Sequence, residues 1–162
     1  MRRWCLGESE VGMPDIRTLV PHSGPMVLLD RVVTADEDSL CAEVTIRADS
    51  LFCEAVGIGA WVGIEYMAQT IGAYVGYIAT LRNEPVRIGF LLGIRRYECS
   101  RPLFPLGSLL RVHAKRLWQS GNGLGSFECL ICDERERQLA AATVTVFQPD
   151  RENDFPQEVG DE

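Results

Sequence analysis

Histidine is nearly missing from this chain: two occur among 162 residues, His22 and His113. Chemistry that needs an imidazole therefore has two candidates. Basic residues are also short. Lys and Arg number 16 against 23 Asp and Glu, for a formal net charge of −7. That balance argues against nucleic acid as the main partner. No apolar leader opens the sequence, since Met1-Arg-Arg-Trp-Cys-Leu-Gly-Glu runs straight into acids. A cytoplasmic location is expected on that ground, with reduced thiols at Cys5, Cys41, Cys53, Cys99, Cys129 and Cys132. A second cysteine pair at ligand spacing is lacking too. Cys129 and Cys132 form a Cys-x-x-Cys, but Leu130 and Ile131 between them suit a strand, so neither a metal site nor another cofactor is expected. Internal repeats are absent, and the length fits one domain with a real core.

Charge is scarcest in the middle. None occurs between Glu65 and Arg82. Gly59 to Leu81 reads as one long, nearly all-apolar helix, buried on every side. Roughly 20 apolar residues would span a membrane. Glu65 and Gln69 inside the run, the want of a flanking basic cluster and strand-like neighbours weigh against that reading, and no membrane is expected as a partner. On helical spacing Glu65, Gln69, Gly72 and Gly76 share a face: two polar side chains, then two absent ones. A helical glycine costs about 0.5–1 kcal/mol relative to alanine. Gly63, Gly72 and Gly76 thus mark places where another segment or a ligand comes close.

Residues 1–18 read as an extension, 19–148 as the domain, and 149–162 as an acidic, disordered tail. Pro21, Gly24 and Pro25 put His22 in a tight loop. Met26–Val33 and Leu40–Arg47 read as a hairpin about the acidic turn at 36–38. Leu51–Gly59 is a connection into the helix. Val86–Tyr97, Leu109–Trp118, Ser126–Cys132 and Leu139–Phe147 read as strands, with a loop at Ser100–Gly107. In the second of these, Leu110, Val112 and Ala114 share one face, and His113 lies with Arg111 and Lys115 on a face expected to be solvated. From Arg82 to Arg116 the chain is basic, with only Glu84 and Glu98 opposing, which suits an acidic partner. A hairpin, a buried helix and four successive strands make an α+β protein: an antiparallel sheet wrapped around one helix, the hotdog architecture.

Three segments carry a resemblance across residues 19–147. Pro21-His-Ser-Gly-Pro-Met-Val-Leu-Leu-Asp-Arg-Val resembles the opening strand motif of the bacterial 3-hydroxyacyl-acyl-carrier-protein dehydratases. Gly63-Ile-Glu-Tyr-Met-Ala-Gln resembles their central-helix motif. Gly93-Ile-Arg-Arg-Tyr-Glu-Cys-Ser-Arg-Pro-Leu-Phe-Pro-Leu-Gly resembles their Gly-Ile, aromatic, Arg-Pro and Pro-Gly segment. The helix segment is most similar to the branch associated with aryl-polyene-type pathways. One departure stands out: the Gly-His-Phe-Pro-Gly loop that carries the family's catalytic histidine is replaced by Leu51-Phe-Cys-Glu-Ala-Val-Gly-Ile-Gly59.

The resemblance implies loss of water from a 3-hydroxyacyl thioester of acyl carrier protein or coenzyme A. Glu65 would be the acid, kept protonated by burial beside Ile64, Met67 and Ala68. The resemblance does not itself supply the base; of the two histidines only His22 is a plausible imidazole partner for Glu65, and the alternative is a structural residue that hydrogen-bonds its own loop. Gln69 would orient Glu65. Amides around Ala60, Trp61 and Val62 would face the thioester carbonyl. Gly72 and Gly93 would leave room for substrate, and Arg95, Arg96 and Arg101 would meet carrier-protein acids or coenzyme A phosphates. A dimer is implied, either a homodimer or a heterodimer with a related subunit bearing the missing histidine. Two alternatives stay open: a thioesterase using a carboxylate to activate water, and a non-catalytic subunit supporting an active partner.

Overall fold

The computed structural model describes residues 12–149. Cys5, the first part of the expected extension and the acidic tail from residue 150 lie outside the described residues. Nine strands and one long helix follow in order: β1 (Arg31–Ala35), β2 (Ser39–Thr45), β3 (Cys53–Glu54), β4 (Gly57–Gly59), α1 (Gly63–Leu81), β5 (Phe90–Cys99), β6 (Leu103–Pro105), β7 (Leu109–Gln119), β8 (Leu124–Cys132) and β9 (Gln138–Phe147). Six strands form one antiparallel sheet in the order β1-β2-β7-β8-β9-β5. Alternation along β7 sets its inner face. Leu110, Val112 and Ala114 are fully buried, and across the ladders they pair with Val44, Ala42 and Leu40 on β2. Tyr66, Met67, Ile71, Ala73 and Tyr74 of α1 fill the same core. This is the hotdog arrangement.

Two of the helical glycines are explained by close approach, of backbone at one and of a side chain at the other. A Cβ on Gly76 would collide with the Leu19 carbonyl, and one on Gly63 with the Tyr97 hydroxyl. Nothing lies within 4 Å of the Cβ position on Gly72, so that side of the helix is open.

Several expectations need correction. The helix is not buried on every side: Glu65, Ala68, Gly72 and Val75, one stripe at helical spacing, are only half-buried. Met26–Leu28 joins no ladder; a 3₁₀ turn covers Gly24–Met26 and pairing starts at Arg31. The reason is a competing partner, the side-chain amide of Gln69, which bonds this backbone directly. Similarly, Val86–Gly89 precedes the β5 ladder. Leu51–Gly59 and the Ser100–Gly107 loop are not plain connections, because β3, β4 and β6 within them form a small second sheet. Ile16, inside the expected extension, is 2% exposed and packs in the core. His113 is not solvated: it is 5% exposed, with Cys41 Sγ 3.9 Å from its Nε2. Burial lowers its pKa to about 4; Arg111 acts in the same direction and Glu136 opposes. Cys129 and Cys132 are buried strand residues on β8. Among the described residues no helix is long and apolar enough to cross a membrane.

Candidate active site

Gln69 organises the site. It is completely buried, and a buried amide needs partners for its oxygen and nitrogen. Its Oε1 accepts from the Leu28 N–H at 2.9 Å. Its Nε2 donates to the Met26 carbonyl at 2.7 Å and to Glu65 Oε1 at 3.0 Å. One side chain thereby ties the chain after His22 to the first turns of α1 and orients the carboxylate one turn back. The same Glu65 oxygen lies 3.7 Å from His22 Nε2. This distance is within ion-pair reach and longer than a hydrogen bond, as is common for catalytic pairs before substrate is bound. His22 Nδ1 is buried without a hydrogen-bond partner in the structure.

The Glu65 side chain is 39% exposed and that of His22 33%. The burial expected to keep Glu65 protonated is therefore not supplied by this chain alone. The pair opens instead onto a groove of about 260 Å³ between α1 and the β5–β9 edge. Ala68, Gly72 and Val75 form its helical wall, and Phe90, Leu91 and Val146 face them. Gly72 makes the groove possible at mid-length, since an open Cβ position there leaves space beside the helix. The far end is polar, lined by Arg87 and Gln148.

Four of the residues expected at the site come together: Glu65, His22, Gln69 and Gly72. The others do not line the groove. Ala60, Trp61 and Val62 form a 3₁₀ turn leading into α1. The Ala60 N–H is already given to the Pro102 carbonyl, and its carbonyl accepts from the Tyr97 hydroxyl. Trp61 is 64% exposed and packs edge-on against Phe52, while Val62 belongs to the core. Gly93 is an exposed β5 residue beside a register shift. Arg95 and Arg96 sit at a second β5 irregularity, where Arg96 takes a φ of 55°. Arg101 is exposed in the turn before β6. Arg95 and Arg96 are set by their place in β5 and Arg101 by the turn that follows it, so a basic run in sequence did not translate into a basic wall. Ala68, read from sequence only as a neighbour burying Glu65, and Val75, not singled out, were both available from helical spacing off Glu65. Arg87 and Gln148 carried no local signal, because only the β5–β9 pairing and the Gln148 Nε2 bond to the Arg87 carbonyl at 3.4 Å unite them.

Comparison with known proteins identifies the family and the fold. A family model described as ApeP dehydratase matches residues 14–157. The FabZ 3-hydroxyacyl-acyl-carrier-protein dehydratase of Brucella ovis is 30% identical over 134 residues, spanning 76% of this chain and 82% of that protein. FabZ of Methylobacterium sp. strain 4-46 is 30% identical over 109 residues, 63% of this chain and 65% of the relative. Among solved structures, the dehydratase heterocomplex ApeI:P from Xenorhabdus doucetiae is similar with a TM-score of 0.79 and 31% identity, covering 85% of this chain and 93% of the matched one. The groove beside one long helix, the Glu65 motif and a family match over most of its length lead to one conclusion: the chain belongs to the ApeP-like dehydratase family of hotdog proteins.

Proposed function

We propose that this protein removes water from 3-hydroxyacyl thioesters carried by acyl carrier protein, with His22 as base and Glu65 as acid. The observation that carries the reading is the approach of His22 Nε2 to Glu65 Oε1, 3.7 Å apart at the head of an apolar groove. His22 takes a proton from C2, which the thioester acidifies. The C2–H electron pair becomes the C2=C3 double bond as the C3–O bond breaks. Protonated Glu65 gives its proton to the leaving hydroxyl, which departs as water and leaves the trans-2-enoyl thioester. Proton transfer from the His22 imidazolium to the Glu65 carboxylate restores both groups. Gln69 is the positioning residue, since its amide fixes the Glu65 oxygen that faces His22.

A partner subunit fits the same reading. The heterocomplex named above is an assembly of two different chains. Here the half-open Glu65 and the exposed Phe90, Leu91 and Leu92 of edge strand β5 flank one side of the molecule. A related hotdog subunit on that side would bury Glu65 and bring the missing loop histidine, in which case His22 would be structural. Mass spectrometry of a 3-hydroxyacyl carrier-protein substrate separates the cases. Water loss by the protein alone, abolished in Glu65→Gln and in His22→Ala, supports the pair. Loss that survives His22→Ala removes His22 as base. Loss seen only with a co-expressed hotdog partner favours the shared site. No loss in any combination rejects the dehydratase.

A further inference from the structure

The groove beside α1 ends at two side chains. On the helix it is faced by Ala68, Gly72 and Val75. The same helical face continues at the next step to Ala79, and Ala79 faces a second crevice, of about 130 Å³. Gly72 lines the groove alone, Ile78 and Ala79 line the crevice alone, and Val75 lines both. The facing wall repeats this order: Val146 borders the groove, Gln119 the crevice, and Gln148 both. A side chain that borders two neighbouring cavities stands between them. Val75 and Gln148 are therefore a partition, one from α1 and one from the residue after β9.

Both members of the partition are held in place. Val75 is half-buried and packs against the core, and a β-branched side chain keeps essentially one rotamer in a helix. Gln148 gives its N–H to the Gly123 carbonyl at 2.9 Å, and its Nε2 donates to the Arg87 carbonyl at 3.4 Å. Along the helical stripe the residues are Ala68, Gly72, Val75 and Ala79. Val75 is the one branched side chain among them. Trimming it is the smallest change on the helix that would join the two cavities.

We infer that Val75 sets the length of acyl chain this protein accepts. The chain runs along α1 from the reacting carbons at Glu65 and stops at Val75, with Gln148 closing the facing wall. The inference rests on the groove being the acyl site of the reaction proposed above. Glu65 and Val75 lie ten positions apart, about 15 Å along the helix axis. An extended chain advances about 1.2 Å per bond, as a stretched backbone does over its three bonds per residue. About twelve carbons therefore reach from the reacting centre to Val75. Methylenes beyond that length find no apolar cover.

The test is direct binding to the full chain, alone and with any co-purifying partner, by titration calorimetry. The probes are non-reactive thioether analogues of a 3-hydroxyacyl pantetheine. Their saturated chains lengthen two carbons at a time, from about half that reach to about half again beyond it. Each buried methylene adds about fourfold in affinity. Wild type is expected to show this climb up to the limit and none past it. In Val75→Ala the climb should continue into the crevice, so that probes a few carbons past the limit bind about tenfold more tightly than they bind wild type. In Val75→Phe it should stop sooner. Ile78 borders the crevice and not the groove, so Val75→Ala/Ile78→Phe refills the crevice and should restore the wild-type limit. Thermal unfolding checks that each variant folds, and the Phe variant carries the test should the Ala variant fail to fold. The same limit in wild type, Val75→Ala and Val75→Phe overturns the inference and leaves the groove as the acyl site. A wild-type climb without a limit overturns it as well. Affinity indifferent to chain length in every protein removes the acyl site and the inference together. Binding is read without turnover, so a Val75-dependent limit in a protein that releases no water sinks the dehydratase reaction and leaves the length limit standing.

Discussion

At the scale of single residues, the site depends on Gln69 more than on any other neutral group. Replacing it with methionine keeps the volume but removes three hydrogen bonds. The half-buried Leu28 N–H and the Met26 carbonyl then lose their partner, at about 0.5–1.5 kcal/mol for each bond. Denaturant unfolding of Gln69→Met should register that loss. Turnover should show a fall in kcat with KM little changed, because Glu65 loses its orientation and the groove wall stays in place. His113 predicts a pH effect of separate origin. Its folded pKa, lowered to about 4 mainly by burial, lies below the ordinary 6.5. The unfolded chain therefore binds the extra proton first as pH falls. This contribution is fully present above 6.5 and is lost progressively toward 4, by at most about 3 kcal/mol. Stability curves of wild type and His113→Gln should converge between those pH values. A constant gap would remove His113 as the cause. The position of His113 was misread from sequence because strand alternation tells which residues share a face; it does not tell whether that face is covered.

At the scale of elements, α1 carries contrasting glycines. Gly76→Ala forces a methyl into the Leu19 carbonyl and should destabilise by about 1–3 kcal/mol, as overpacking does. Gly72→Ala meets open space and should raise stability by about 0.5–1 kcal/mol through helix propensity, while narrowing the groove and raising KM for long acyl chains. Thermal unfolding of the two variants checks the opposite signs. The helix and most of the strands were legible in sequence because each is a local periodic pattern; the open stripe was only half read, since Gln69 and Gly76, expected beside Glu65 and Gly72, are buried and Ala68 and Val75 take their place. The small β3-β4-β6 sheet was not: strands of two or three residues carry no period, and their pairing is fixed by tertiary contacts such as the Ala60 N–H to Pro102 bond. The extended Met26–Leu28 segment failed for a related reason, since its apolar residues looked like a strand while a side chain 41 residues away from Leu28 claimed its backbone. The Glu65–His22 approach was visible because the chain offers one plausible imidazole for the helix carboxylate; the groove's distal end was not, because it needs the β5–β9 register.

For the whole molecule, β5 sits at one end of the six-strand order and carries ten residues with Phe90, Leu91 and Leu92 exposed. A long apolar edge is a template for another strand. Leu91→Lys/Leu92→Glu should leave the fold intact and weaken assembly with a hotdog partner. Light scattering of the co-expressed pair would measure that loss, and an unaltered pair would place the contact elsewhere.

The same edge bears on how the protein is produced. Main-chain groups along an edge strand accept any strand of suitable register, a copy of this chain included. Under the partnership proposed above, chain made in excess of its partner would self-associate through β5 and lose solubility. Synthesis of the two in near-equal number would then protect solubility as well as activity.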